Sequence, residues 1–166
     1  GKKPVTENTI FELASITKVF TATLLGVALE KNQLSLADPI VNYLPGVTAK
    51  KNQPIDAVTV QELATHTASF PRDVQGFGVK LGDNAALMQK LSVWQPNQVV
   101  GKSYLYSNVS FGLLGKVVEN ASKKTYPELI ATEIAGPLGM MHTFVSVPAA
   151  ASQFVAQGYR LNGTPA

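Results

Sequence analysis

Apolar residues at Ile16, Val19, Phe20, Leu24, Val27 and Ala28 recur at the three-four spacing of one helical face, and Leu25 and Leu29 make the opposite face apolar too. The pattern predicts a first helix buried on nearly every side, with Ser15 in its first turn. Leu34-Ser-Leu-Ala-Asp-Pro39 reads as a turn followed by a short helix, with Asp38 as N-cap and Pro39 at the first helical position. Thr59-Val-Gln-Glu62 has capping-box spacing and opens a helix expected to end near His66. From Ala68 to Asp83 the chain is rich in Gly, Pro and Asp without periodicity, which predicts a long surface loop of the kind that often carries function. Helical spacing returns over Asn84 to Trp94 and over Val109 to Ala121, with an irregular stretch from Gln95 to Lys102 between them. Thr125-Tyr-Pro-Glu128 is a second capping box, opening a helix that Gly136-Pro137 ends. Strand-like alternation is confined to Thr143–Val147 and Phe154–Leu161. The chain is therefore mainly α.

At 166 residues and 45% hydrophobic, it is long enough for one domain with a real core and too short for two comfortable ones. Residues 1–166 are read as a single unit, with a loop-rich C-terminal segment over 143–166. The net charge of +3 comes from scattered basic residues, apart from the pairs Lys2-Lys3, Lys50-Lys51 and Lys123-Lys124, which argues against a nucleic-acid surface. The absence of cysteine removes disulfides and thiolate metal sites, and two histidines are too few for a histidine-rich metal centre. Neither a metal nor a cofactor is expected. The apolar run from Val19 to Leu29 is too short to span a bilayer, and the stretch from Ile134 to Tyr159 is broken by Gly, Pro and polar residues.

Between Glu12 and Glu30 the sole charged side chain is Lys18, three residues after Ser15. On a helix the two lie on one face a turn apart, so the ammonium can reach the hydroxyl. Burial lowers the pKa of a lysine and turns it into a proton acceptor, and such an amine beside a hydroxyl activates it as a nucleophile. Unpaired N–H groups and the positive dipole end at the helix start would stabilise an oxyanion. Ser-x-x-Lys nevertheless arises by chance about once in a chain of this size, mostly on exposed helix faces. A second motif is needed.

It is found in Tyr104-Leu-Tyr-Ser-Asn108, at the start of the Val109 helix. Tyr106 and Asn108, two apart on an extended segment, can face one cleft: a phenol to shuttle a proton and an amide to orient a carbonyl or hold the lysine. Together with Phe11-Glu-Leu-Ala-Ser-Ile-Thr-Lys18, Leu36-Ala-Asp-Pro39, Leu63-Ala-Thr-His-Thr67, Trp94-Gln-Pro96, Phe111-Gly-Leu-Leu-Gly115, Pro137-Leu-Gly-Met140 and Gly158-Tyr-Arg160, these residues give a chain that resembles the serine β-lactamase and penicillin-binding-protein superfamily. The resemblance covers almost the whole chain and is strongest to the class C β-lactamases.

What it implies is a serine hydrolase that opens a β-lactam ring through an acyl-enzyme. Ser15 matches the acylated nucleophile, Lys18 its helix partner, Tyr106 the phenol implicated as a base, and Asn108 the amide that contacts the substrate side chain. The first two motifs also serve D-alanyl-D-alanine peptidases and lactamase-like esterases, so the implied partner is a β-lactam or an acyl-D-alanine-like small molecule. The family's third motif, Lys-Thr-Gly on an edge strand, is absent from these 166 residues. The resemblance thus implies the helical region of an α+β β-lactamase/transpeptidase-like fold, with most of the antiparallel sheet elsewhere in a larger periplasmic or secreted bacterial enzyme. It also leaves open a non-catalytic binding or assembly piece, with self-association through uncovered apolar faces.

Other residues weigh less. His66 falls at a helix end, where capping or packing is expected rather than a Ser-His pair, and His142 beside Met140 and Met141 is read as structural. No Gly-x-Ser-x-Gly elbow surrounds a serine. Tyr43, Phe70 and Phe77 either line a cleft or pack, and Trp94 is expected to pack.

Overall fold

A computed structural model describes residues 4–48 and 52–165. The paired lysines Lys2-Lys3 and Lys50-Lys51 lie outside the described residues. Five α-helices carry the fold: α1 (Thr17–Glu30), α2 (Val60–Ala64), α3 (Asn84–Ser92), α4 (Asn108–Ser122) and α5 (Tyr126–Leu129). The last runs on into a π-helical stretch over Ile130–Ala135. Each predicted helical pattern from Thr59 onward coincides with one of them.

Helix α4 is the centre of the core. It buries Val109, Leu113, Leu114, Val117 and Val118, and α1 lays Leu24, Leu25 and Ala28 beside it. Val60 and Leu63 of α2 and Ile130 and Ile134 of the π-helical stretch complete the packing. Three helices meet at Gly115, where a Cβ would lie in ordinary contact, 3.5 Å from the Tyr126 ring and 4.0 Å from Thr21. At the same junction the Thr21 and Tyr126 hydroxyls hydrogen-bond at 2.8 Å. Truncating a fully buried side chain such as Leu114 to alanine is expected to cost about 2–5 kcal/mol.

The capping boxes form as spaced. Thr59 and Glu62 close the start of α2, and Thr125 and Glu128 close the start of α5, where the Thr125 N–H donates to Glu128 Oε2 at 2.8 Å. Asp38, in contrast, does not cap a helix starting at Pro39. Its carboxylate accepts the Ser35 N–H at 2.8 Å and the Tyr43 hydroxyl at 2.6 Å, closing the preceding turn, and the 3-10 turn Ile40–Tyr43 begins without a side-chain cap. Burial and the anionic Asp38 push the Tyr43 phenol up to about 12.

Two further expectations are corrected. Helix α1 is not buried all round, because the core lies along one side of it; Ile16 is 58% and Val19 64% exposed on the other. The alternating stretches Thr143–Val147 and Phe154–Leu161 form no strand among the described residues. A strand needs a hydrogen-bonded neighbour, and the pairing here is limited to isolated bridges, Ile10 with Val155 and Tyr159 with Pro165. Phe70 and Trp94 pack edge to face at 4.7 Å between centroids and are buried, so neither lines a cleft.

Candidate active site

The chain enters α1 through a 3-10 turn over Ala14–Ile16, so Ser15 stands one turn ahead of the α-helix proper. Ala14 takes a left-handed φ of 46°, a conformation that favours glycine, and thereby turns the chain sharply at the residue before Ser15. Ser15 caps nothing and is exposed.

On the facing side, Tyr106 precedes α4 and Asn108 is its first residue. This segment is laced to the loop that follows α2. The Leu105 N–H donates to the His66 carbonyl at 2.8 Å, and the Ser107 N–H to His66 Nδ1 at 3.1 Å. The Ser107 hydroxyl donates to the Pro71 carbonyl at 2.7 Å, and the Asn108 N–H to the Arg72 carbonyl at 2.7 Å. Ser107, fully buried, also caps α4 by accepting the Ser110 N–H at 3.0 Å. Few backbone groups remain free to shift Tyr106 or Asn108.

The four side chains singled out from the sequence meet. Ser15 Oγ lies 2.7 Å from the Tyr106 hydroxyl and accepts from Lys18 Nζ at 3.2 Å. Lys18 Nζ also donates to Asn108 Oδ1 at 2.7 Å and sits 4.8 Å from the centre of the Tyr106 ring. Lys18 is half-buried rather than enclosed, because its outer side faces an open cleft of about 1100 Å³ lined also by Thr21, Asp73, Asn108, Phe111 and Tyr126.

Charge on these groups follows from the geometry. The Lys18 ammonium, foremost, and the Ser15 hydrogen bond hold the Tyr106 phenol below its usual 10, and Arg72, 5.2 Å from the ring, adds to this. A phenol so placed gives up its proton more readily and is suited to receive one from Ser15 in turn. His66 is held below its ordinary 6.5, by burial first and by the Lys18 charge second. His142 is exposed and stands apart from the four.

Asp73 and Ser107 escaped the sequence reading, whereas His66 packs as expected there. Asp73 accepts from Asn108 Nδ2 at 2.7 Å, Ser107 caps and anchors, and His66 packs its ring against Tyr106 at 4.7 Å and Phe111 at 4.8 Å. Asp73 was within reach, since it lies in the long loop already marked as one that could carry function. Ser107 was within reach as well, as a serine standing immediately before the Val109 helix, but its bond to the Pro71 carbonyl depends on a contact that no local pattern encodes.

The sequence matches the β-lactamase family over residues 1–166. The chain belongs to that family. Among curated β-lactamases it is 36% identical to one from Pseudomonas fluorescens over 99% of this chain and 45% of the relative. It is 35% identical to one from Escherichia coli K12 over 96% of this chain and 41% of the relative. This β-lactamase-family chain thus spans less than half the length of those relatives. Its structure superposes on a D-alanine carboxypeptidase AmpC from Burkholderia cenocepacia with a TM-score of 0.85 at 37% identity, covering 99% of this chain and 43% of the other. It superposes on a class C β-lactamase in complex with cefoxitin with a TM-score of 0.86 at 32% identity, covering 99% and 45%. The helical arrangement is that of class C β-lactamase folds. No helix among the described residues is long and apolar enough to cross a membrane.

Proposed function

We propose that the chain carries the nucleophile half of a class C-type serine β-lactamase. One observation carries this: a single hydroxyl, Ser15 Oγ, is within hydrogen-bond reach of both a phenol of lowered pKa and an ammonium that a third side chain holds in place. Ser15 Oγ attacks the lactam carbonyl carbon as its proton passes to the Tyr106 oxygen, which gives up its own, with Lys18 balancing the charge. The ring C–N bond breaks, the nitrogen receives that proton, and an ester to Ser15 remains. Water then hydrolyses the ester, regenerating the hydroxyl.

Asn108 holds the Lys18 ammonium and presents its amide to the substrate side chain, and the Ser15 N–H at the start of the helical run is one donor to the oxyanion. A β-lactam is the substrate class, and the cefoxitin bound by a related class C enzyme supports it. The same reading puts the protein in the periplasm or outside a bacterial cell.

A second reading, a D-alanyl-D-alanine carboxypeptidase, uses the same four groups and is supported by the 37% identity to the Burkholderia carboxypeptidase. The two differ in how fast water releases the acyl group. Incubation with penicillin and with a chromogenic ester, followed by intact mass and peptide mapping, tests both. A covalent adduct on Ser15 is expected, short-lived for a lactamase and persistent for a peptidase; label on Ser107 or Ser110 overturns the assignment.

A further inference from the structure

His66 touches none of the groups that would react, yet everything about it points at the segment that carries two of them. Its ring is 8% exposed, enclosed by Tyr104, Tyr106 and Phe111. Its backbone is left-handed, at φ 59°, which turns the chain after α2 so that the ring projects under Tyr106 and Ser107. Its Nδ1 is the acceptor for the Ser107 N–H, in the peptide group that joins Tyr106 to Ser107. An imidazole nitrogen accepts only when it carries no proton, so the ring must be the neutral Nε2–H tautomer for this bond to exist. Protonation would set an N–H against an N–H in a buried place.

We propose that His66 is a positioning residue, whose unprotonated Nδ1 holds the Ser107 peptide and so keeps Tyr106 and Asn108 against Ser15 and Lys18, and that protonation of this ring closes the reaction on the acid side. The role rests on the acylation chemistry above. The charged and titratable groups facing the ring are Lys18 from α1, Tyr104 and Tyr106 from the segment before α4, and Arg72 beyond Tyr106. From its own element the nearest carboxylate, Glu62, is occupied with Thr59 in the capping box. Burial and the Lys18 cation oppose a positive charge on the ring. The neutral ring is therefore the resting form at neutral pH, and the switch lies on the acid side of 6.5.

The test pairs His66→Asn with His66→Phe. Asparagine tolerates a left-handed φ and puts a non-titrating oxygen near the place of Nδ1, whereas phenylalanine fills the space and offers no acceptor. In the wild-type chain, Ser15 acylation by penicillin, followed by intact mass, is expected to fall about tenfold per pH unit below the His66 pKa. His66→Phe is expected to lower it at every pH, and His66→Asn to restore most of that loss while removing the acid-side fall. Nitrogen-detected NMR of the same chain should show the Nε2–H tautomer at pH 7.5 and a Ser107 amide shift that titrates with the ring. An acid limb unchanged in His66→Asn, or a proton on Nδ1 at neutral pH, overturns the role alone. A chain acylated at no pH overturns the acylation chemistry and this role with it.

Discussion

Asp73 accepts a 2.7 Å hydrogen bond from Asn108 Nδ2, and this fixes which way round the amide lies: its oxygen faces Lys18 Nζ, also at 2.7 Å. A carboxylate can only accept, so it enforces the orientation that the ammonium requires. Asp73→Ala is expected to slow acylation about tenfold, the equivalent of about 1.4 kcal/mol, with the melting temperature nearly unchanged because Asp73 is exposed. Single-turnover acylation measured by intact mass decides it; an unaltered rate would show that Lys18 orients the amide unaided.

Ser15 and Lys18 separate chemistry from stability. Since Ser15 makes no capping bond, Ser15→Ala should abolish the covalent adduct and leave the urea midpoint close to wild type. Lys18→Met keeps an apolar stem of similar length in a half-buried place, so it should depress acylation far more than stability. Equal acylation rates for Lys18→Met and wild type would return Lys18 to the status of a helix-face lysine.

Acid stability follows from His66 and from the partnered carboxylates, Glu133 among them. His66 stays neutral in the folded protein below the pH at which it gains a proton in the unfolded chain, so its stabilisation is whole above about 6.5 and drains as pH falls toward the folded pKa. Glu133, held below its ordinary 4.5 by Lys31 first and Lys124 second, contributes above that value and is lost under it. Urea midpoints measured from pH 7.5 to 3.5 should therefore fall in two stages. His66→Asn removes the upper stage and Glu133→Gln reduces the lower, to which Asp38 and Glu128 also contribute; a single transition insensitive to His66→Asn would contradict this.

Ala14 holds a left-handed backbone that costs a non-glycine residue roughly 1–2 kcal/mol. Ala14→Gly relieves that strain and gives back about 0.4–1 kcal/mol through a freer unfolded chain. The expected result is a modest gain, up to about 1 kcal/mol, read from denaturant unfolding. A loss of stability would mean that Ala14 is not strained.

The helices were legible because their signals are local. Thr59 with Glu62, Thr125 with Glu128 and the spacing of Val109, Leu113, Leu114 and Val117 each lie within a few residues, and all of them form as read. Asp38 misled because a carboxylate that can cap forward can equally accept backward from Ser35 and sideways from Tyr43, and sequence does not rank the three. The outer side of α1 misled for another reason: an apolar face reports that something covers it, not what or where. Ser15, Lys18, Tyr106 and Asn108 could be singled out by motif, whereas Asp73 and His66 act across 35 and 41 residues of sequence and are visible only in space.

That outer face gives the last prediction. Phe11, Ile16 and Val19 are exposed beside Ser15, and the Lys-Thr-Gly strand that the class C resemblance implies as the source of a second oxyanion donor is not among these 166 residues; on the proposed chemistry, the want of such a donor is worth about 10²–10³ in rate. The chain alone should hydrolyse β-lactams barely above background and self-associate. Steady-state assay and light scattering decide it; rapid turnover by a monodisperse monomer would refute both halves.

The lacing of residues 105–108 onto residues 66–72 divides the loop after α2 into two parts with different freedom to change. Up to Arg72 the main chain is committed to holding Tyr106 and Asn108, so an insertion there would move the reacting groups. Farther on, Val74, Gln75, Gly76, Leu81 and Gly82 line the cleft beside Lys18 and Asn108 without bearing that load. Variation in the second part would reshape the cleft beside Lys18 while the backbone that holds Tyr106 and Asn108 stays where it is, which makes 74–83 the natural place for selection, or an engineer, to work.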